Sequence, residues 1–140
     1  MEKPMIKIYI DAATHQTKNI SAGGMIVLLN KEQLQIKQTL RAKTNNEAEF
    51  EILLFALEFA LNNNWNQETI FIYSDSQIVI QSLEKKYAKE DSFSTLLNQI
   101  LTLMNKFDFI FIEWQGEKQN KGADNLARQA LQLALKNKSR

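Results

Sequence analysis

Cysteine is absent from the 140 residues, which removes disulfides, thiol nucleophiles and thiolate zinc sites together. Histidine occurs once, at His15, so a His-rich metal site is excluded and one imidazole remains for acid–base work. Excess charge of one sign is missing too: the formal net charge is +1. Any binding of a polyanion must therefore come from local arrangement rather than from a field over the whole surface. No apolar run approaches the roughly 18–20 residues that span a bilayer. The N-terminus lacks a basic-then-apolar signal, so the expectation is a cytoplasmic protein. With one proline and four glycines, no linker, repeat or low-complexity segment is visible. The length points to a single domain over residues 1–140, with residues 137–140 as a basic, frayed tail.

What is present begins with Met5-Ile6-Lys7-Ile8-Tyr9-Ile10-Asp11, read as a strand. Ile6, Ile8 and Ile10 share one face, while Met5, Tyr9 and Asp11 share the other. A strand apolar on both faces belongs in the middle of a sheet covered by helices on both sides. An acid at the end of such a strand is costly without a cation or several donors, although a turn residue is the commoner explanation for one Asp alone. Ala12–Asn19 reads as loop, and Ser21-Ala22-Gly23-Gly24 as the lead into a second strand at Met25–Leu29. Gln33–Arg41 alternates like a half-exposed edge strand, and short connections make these three an antiparallel meander.

From Asn46 to about Leu61 the period is helical, with Thr44, Asn45 and Asn46 as cap candidates. Ile70–Asp75 is a second apolar strand that ends in an acid. Ser76 then caps a helix, Ser92–Lys106 forms another, and Phe107–Trp114 is the last strand. A polar turn over Gln115–Asn120 leads to a closing helix ending near Lys136. The order implies an α/β fold with a five-stranded mixed sheet in the order 3-2-1-4-5, strand 2 antiparallel, and helices on both faces.

Four carboxylates stand out by position. Asp11 and Asp75 end two apolar strands at the same edge, where open α/β sheets place their sites. Glu49 heads a stripe continued by Leu53, Ala56 and Ala60, so it points inward, whereas Glu47 heads Glu51, Leu54 and Glu58, a largely solvated face. Asp124 heads Ala127, Leu131 and Ala134 in the same way. Alone, Glu49 is explained as readily by a role at the helix end, and for Asp124 capping is the commoner explanation. Four inward acids near one edge, however, cannot all ionise without cations. Hard divalent ions such as Mg²⁺ or Mn²⁺ take oxygen ligands, and a pair of them about 3.5–4 Å apart suits phosphodiester hydrolysis.

Four segments carry a family resemblance: Ile8-Tyr9-Ile10-Asp11-Ala12-Ala13, Thr44-Asn45-Asn46-Glu47-Ala48-Glu49-Phe50, Tyr73-Ser74-Asp75-Ser76-Gln77, and Asn120-Lys121-Gly122-Ala123-Asp124-Asn125-Leu126-Ala127. In this order and spacing they resemble the ribonuclease H family, type HI, across nearly the whole chain. The resemblance implies a metal-dependent endoribonuclease that cuts the RNA strand of RNA/DNA hybrids. It implies Asp11, Glu49, Asp75 and Asp124 as catalytic and metal-binding residues for two Mg²⁺ or Mn²⁺ ions. It implies substrate contacts from Thr44, Asn45, Asn46, Ala12, Ser76 and Gln77, made across a minor groove lined with 2′-hydroxyls. Lys85 and Lys86 are the local candidates for duplex backbone contact. A hybrid duplex is then the expected partner, with no membrane, no organic cofactor and a monomeric state.

The chain departs from the family's pattern at Ala12, where glycine is frequent, and in the stretch Thr14–Ile20, which lacks glycine and proline. Gln115–Asn120 lacks the histidine that many members carry before the last acid, and His15 is expected to be a surface loop residue. Two alternatives stay open. One is a nucleic-acid-binding or partner-binding module of the same fold with weak or no turnover. The other is a different nuclease on this fold, opposed by Asp11-Ala12-Ala13 where exonucleases carry Asp-x-Glu and by Asp rather than Glu as the last acid.

Overall fold

A computed structural model describes residues 5–138. Its sheet runs β3-β2-β1-β4-β5. β1 (Met5–His15), β2 (Ile20–Leu29) and β3 (Glu32–Leu40) form the antiparallel meander, and β4 (Thr69–Ser74) and β5 (Phe109–Trp114) add in parallel. α1 (Asn45–Asn62) joins β3 to β4, α2 (Gln77–Lys85) and α3 (Asp91–Met104) join β4 to β5, and α4 (Lys121–Lys138) closes the fold. The topology, strand order and strand directions agree with the sequence reading.

Alternation along the strands sorts their side chains onto two faces. One face carries Ile6, Ile8, Ile10, Ile70 and Ile72, which pack with Phe50, Leu53 and Leu57 of α1 and with Phe93, Leu97 and Ile100 of α3 in one apolar core. α4 packs against the other face, over β2, β1 and β3. Beyond its reach that face is an aromatic ladder: Tyr9 stacks on Tyr73, Tyr73 on Phe71 and Phe71 on Phe111. Phe109 and Phe111 are exposed there, as is Met5. Helices thus cover both faces, but the second face is covered only in part, so β1 is less buried than its apolar composition implied.

Two glycines set how closely the helices approach. A side chain at Gly24 would put Cβ 2.5 Å from the Ala123 carbonyl and from the Ala127 nitrogen of α4. At Gly23 it would run into Ile52 of α1. Both glycines lie inside β2, not ahead of it, and Gly24 is the register partner of Asp11.

Other boundaries differ as well. β1 does not stop at Asp11 but continues to His15, paired with β2 alone. The turn 16–19 is closed by Asn19 donating to the His15 carbonyl, with Asn19 in the left-handed region. Phe107 is buried in the core but precedes β5. The polar stretch before α4 contains a short 3₁₀ turn, Glu117–Gln119. Asn137 and Lys138 belong to α4, and Ser139 and Arg140 of the expected tail lie outside the described residues.

Candidate metal centre

The pairing of β1 with β4 ends at Tyr9 and Tyr73, and past that point the two chains part. Asp11 and Asp75 stand just beyond the split, one on a strand that runs on with β2 and one on the turn into α2. Glu49 enters from the start of the second turn of α1, whose N-cap is Thr44: the Thr44 side chain accepts from the Glu47 amide at 3.3 Å. Carboxylate oxygens of Asp11, Glu49 and Asp75 lie within 4.8 Å of one another. Asp11 and Glu49 are buried, each with 5% of its surface exposed, and Asp75 is half-buried.

Charge is expensive in this cluster. Burial, and then the Asp75 charge, push Asp11 up to about 7, although the Ala12 amide donates to its Oδ1 at 2.9 Å. Burial and then Asp11 hold Glu49 well above the usual carboxylate range. Burial, followed by Glu117, raises Asp75. Glu49 Oε2 is buried and meets no hydrogen-bond donor. A buried acceptor without a partner beside two more carboxylates is a donor set for a hard cation, which would relieve both the repulsion and the orphaned oxygen.

The cluster opens into a cavity of about 470 Å³ whose lining includes Ala12, Asn45, Asn46, Ser76 and Gln77. Five of the expected substrate contacts are therefore placed beside the acids. Ser76 is also the N-cap of α2, accepting from the Val79 amide at 3.3 Å. Thr44, by contrast, is exposed and does not line the cavity. Lys85 lines a separate cavity with Tyr87 and Lys89. Lys86, exposed at the left-handed C-cap of α2 with φ of 56°, lines neither.

Asp124 departs most from its expected setting. It lines the cavity but lies outside the three-carboxylate cluster. Its side chain is 38% exposed and pairs with Arg128 at 3.2 Å. The stripe that α4 buries is Ala123, Leu126, Ala127, Ala130 and Ala134, and Asp124 sits on its border.

Several contributors escaped the sequence reading. Glu117 and Arg128 line the cavity, and neither was singled out by the sequence. Glu51 accepts from the backbone amides of Arg41 and Ala42 at 2.9 and 2.8 Å, clamping the β3–α1 connection that presents Asn45 and Asn46. Asn120 is buried and donates from Nδ2 to the Ile10 carbonyl at 2.8 Å, while its own carbonyl accepts from the Asp124 amide at 3.0 Å. Only its place in the Asn120–Ala127 motif signalled it. His15 is half-buried at the hairpin tip, where Nδ1 is bonded to Thr17 Oγ1 and to the Lys18 amide. Its ring serves the turn.

The profile of the reverse transcriptase-like family matches residues 9–130. The chain belongs to this ribonuclease H-like family. Among curated proteins, EbsB of Enterococcus faecalis, which carries a hydrolase name, is 43% identical over 96% of this chain and 99% of its own. YpeP of Bacillus subtilis is 26% identical over 90% of this chain, which spans 58% of YpeP. Among solved structures, RNase H1 of Halobacterium salinarum superposes with a TM-score of 0.79 at 26% identity, over 91% of this chain and 98% of that one. LC11-RNase H1, solved in complex with an RNA/DNA hybrid, gives 0.80 at 22% identity over 93% and 99%, a likeness of fold. Members of this ribonuclease H-like family thus share the sheet order found here, and no helix among the described residues is long and apolar enough to cross a membrane.

Proposed function

We propose that this chain is a metal-dependent endoribonuclease that hydrolyses the RNA strand of RNA/DNA hybrids. The observation that carries the reading is the Asp11, Glu49 and Asp75 cluster, whose buried, unpartnered Glu49 oxygen and raised carboxylates match a site built for divalent cations. The family and the hydrolase name of EbsB support the reaction class. Asp11, Glu49 and Asp75 would hold one Mg²⁺ or Mn²⁺, and Asp124 would join from the cavity wall to hold a second. Bound ions supply Lewis-acid stabilisation of the phosphoryl oxygens and activation of the attacking water.

The chain's own residues do the rest. Asn45 and Asn46, fixed by the Thr44 cap and the Glu51 clamp, face the duplex with amide donors and acceptors suited to a minor groove. Ala12, Ser76 and Gln77 border the scissile position. Asp11 and Glu49 would hold a cation in their ionised forms, which a bound cation would favour against the burial that raises their pKa. With this reading go a single domain over residues 1–140, a monomer, a cytoplasmic setting and no organic cofactor.

The test is cleavage of labelled RNA/DNA, RNA/RNA and DNA/DNA duplexes with Mg²⁺, with Mn²⁺ and with chelator. Cutting restricted to the RNA strand of the hybrid, lost with chelator, is the expected result; equal cutting of DNA/DNA defeats the substrate claim. A second reading, a hybrid-binding module without turnover, draws on the place of Asp124, which lies outside the cluster of the other three and is paired with Arg128. Hybrid binding without cleavage in either metal would select it.

A further inference from the structure

Beside the carboxylate cavity lies a second one, of about 470 Å³, lined by Trp114, Lys118, Gln119, Asp75, Gln77 and Glu117. The last three of these also line the first cavity, so the two adjoin. Trp114 ends β5 with 49% of its surface exposed. By strand alternation Trp114 shares its face with Ile110 and Ile112, whereas Tyr9, Tyr73, Phe71 and Phe111 on the opposite face spend their ring surfaces on one another. Trp114 has no ring partner among the described residues. Gly116 stands against the far end of its indole: a Cβ there would lie 3.6 Å from Trp114 Cη2.

The chemistry of this wall is selective. Carboxylates of Asp75 and Glu117 repel a phosphate, whereas the aromatic wall and the two side-chain amides suit a neutral, flat, polar-edged group. Glu117 accepts from exocyclic amino groups, Gln77 and Gln119 both donate and accept, and Lys118 at the rim suits the backbone phosphate of the same nucleotide. We propose that Trp114 is a stacking platform for one unpaired nucleobase of the strand entering the carboxylate cavity, so that the chain prefers hybrids with a single-stranded extension next to the duplex. The substrate preference rests on the hybrid-ribonuclease reading above; the stacking of an unpaired base does not.

Binding measured in chelator, without turnover, tests it. Tryptophan fluorescence is followed as blunt RNA/DNA hybrid, the same hybrid with a short single-stranded RNA extension, and single-stranded RNA are added. Trp65, packed edge-on against Phe59, is the second fluorophore, and Trp65→Phe isolates Trp114. In the Trp65→Phe chain the extension should quench Trp114 and tighten binding at least about fivefold over blunt hybrid, the effect of one stacked base. Trp114→Ala should abolish that preference and Trp114→Phe should keep most of it. An abasic extension should behave as blunt. Persistence of the preference in Trp114→Ala, or an equal gain from the abasic extension, overturns the proposal. If no hybrid binds but single-stranded RNA still quenches Trp114, the platform stands and the hybrid reading falls; hybrid binding with Trp114 unmoved by any extension has the opposite meaning.

Discussion

α1 and α4 each begin with a carboxylate at the head of an apolar stripe, yet the two acids end in different settings. Glu49 is 5% exposed, its Oε2 lacks a partner, and it sits within a cluster of three carboxylates. Asp124 is 38% exposed and spends an oxygen on Arg128 one turn later. Periodicity identifies the side of a helix but not the depth to which its first turn sinks. α1 lies over the main core and drives Glu49 into it. α4 lies on the less covered face, where Gly24 admits its backbone at Ala123 and Ala127 while Asp124 stays at the margin.

The widest separation between the two acids should appear in turnover. Glu49→Gln should cut hybrid cleavage at least about a thousandfold at saturating Mg²⁺, because it removes a buried member of the cation cluster. Asp124→Asn should cost less, about 10- to 100-fold, with most of the loss recovered at high Mn²⁺. Equal losses for the two variants would mean that a bound duplex pulls Asp124 fully into the cluster.

Stability gives a smaller but cleaner contrast. Asp11 is raised from 3.8 to about 7, so the folded state binds more protons than the unfolded state between those values. Stability without metal therefore falls as pH rises from about 4 to about 7. Asp11→Asn removes that liability. Without metal at pH 8 it should melt about 3–5 °C above the parent, an effect of about 1 kcal/mol, and the difference should vanish near pH 4. A constant difference across this range in thermal melts would refute the assignment. The smallest effect belongs to the ion pair: Arg128→Ala should change the Mg²⁺ concentration for half-maximal cleavage less than about threefold, as expected for a mostly exposed pair.

Much of this was legible because strands and helices print different periods. The strand order, the α1 boundaries and the inward aim of Glu49 follow from residues such as Ile8, Ile72 and Leu53, whose placement burial alone dictates. What was not legible depends on contacts between distant segments. Nothing local says that β1 continues past Asp11; that follows from pairing with Ile20–Gly24 across the hairpin. Glu51 looked like part of a solvated face because the amides it binds belong to a loop ten residues away. Lys85 and Lys86 read as candidates for duplex backbone contact, and the sequence alone does not say that neither lines the acid cavity. Gly24 read as punctuation, whereas the missing side chain is what lets α4 dock.

The bond from Asn120 to the Ile10 carbonyl spans 110 positions of sequence, and it gives the site a place in time. Asp11 leaves the ribosome early and Asp124 late, so the fourth carboxylate reaches the cavity only after most of the chain has been made. The meander, built from near neighbours, closes its loops at small entropic cost, whereas docking of α4 has the longest loop to close. A nascent chain that has not yet delivered α4 therefore lacks both Asp124 and the Asn120 tether to Ile10, and on the reading proposed above its site is complete only once that helix docks.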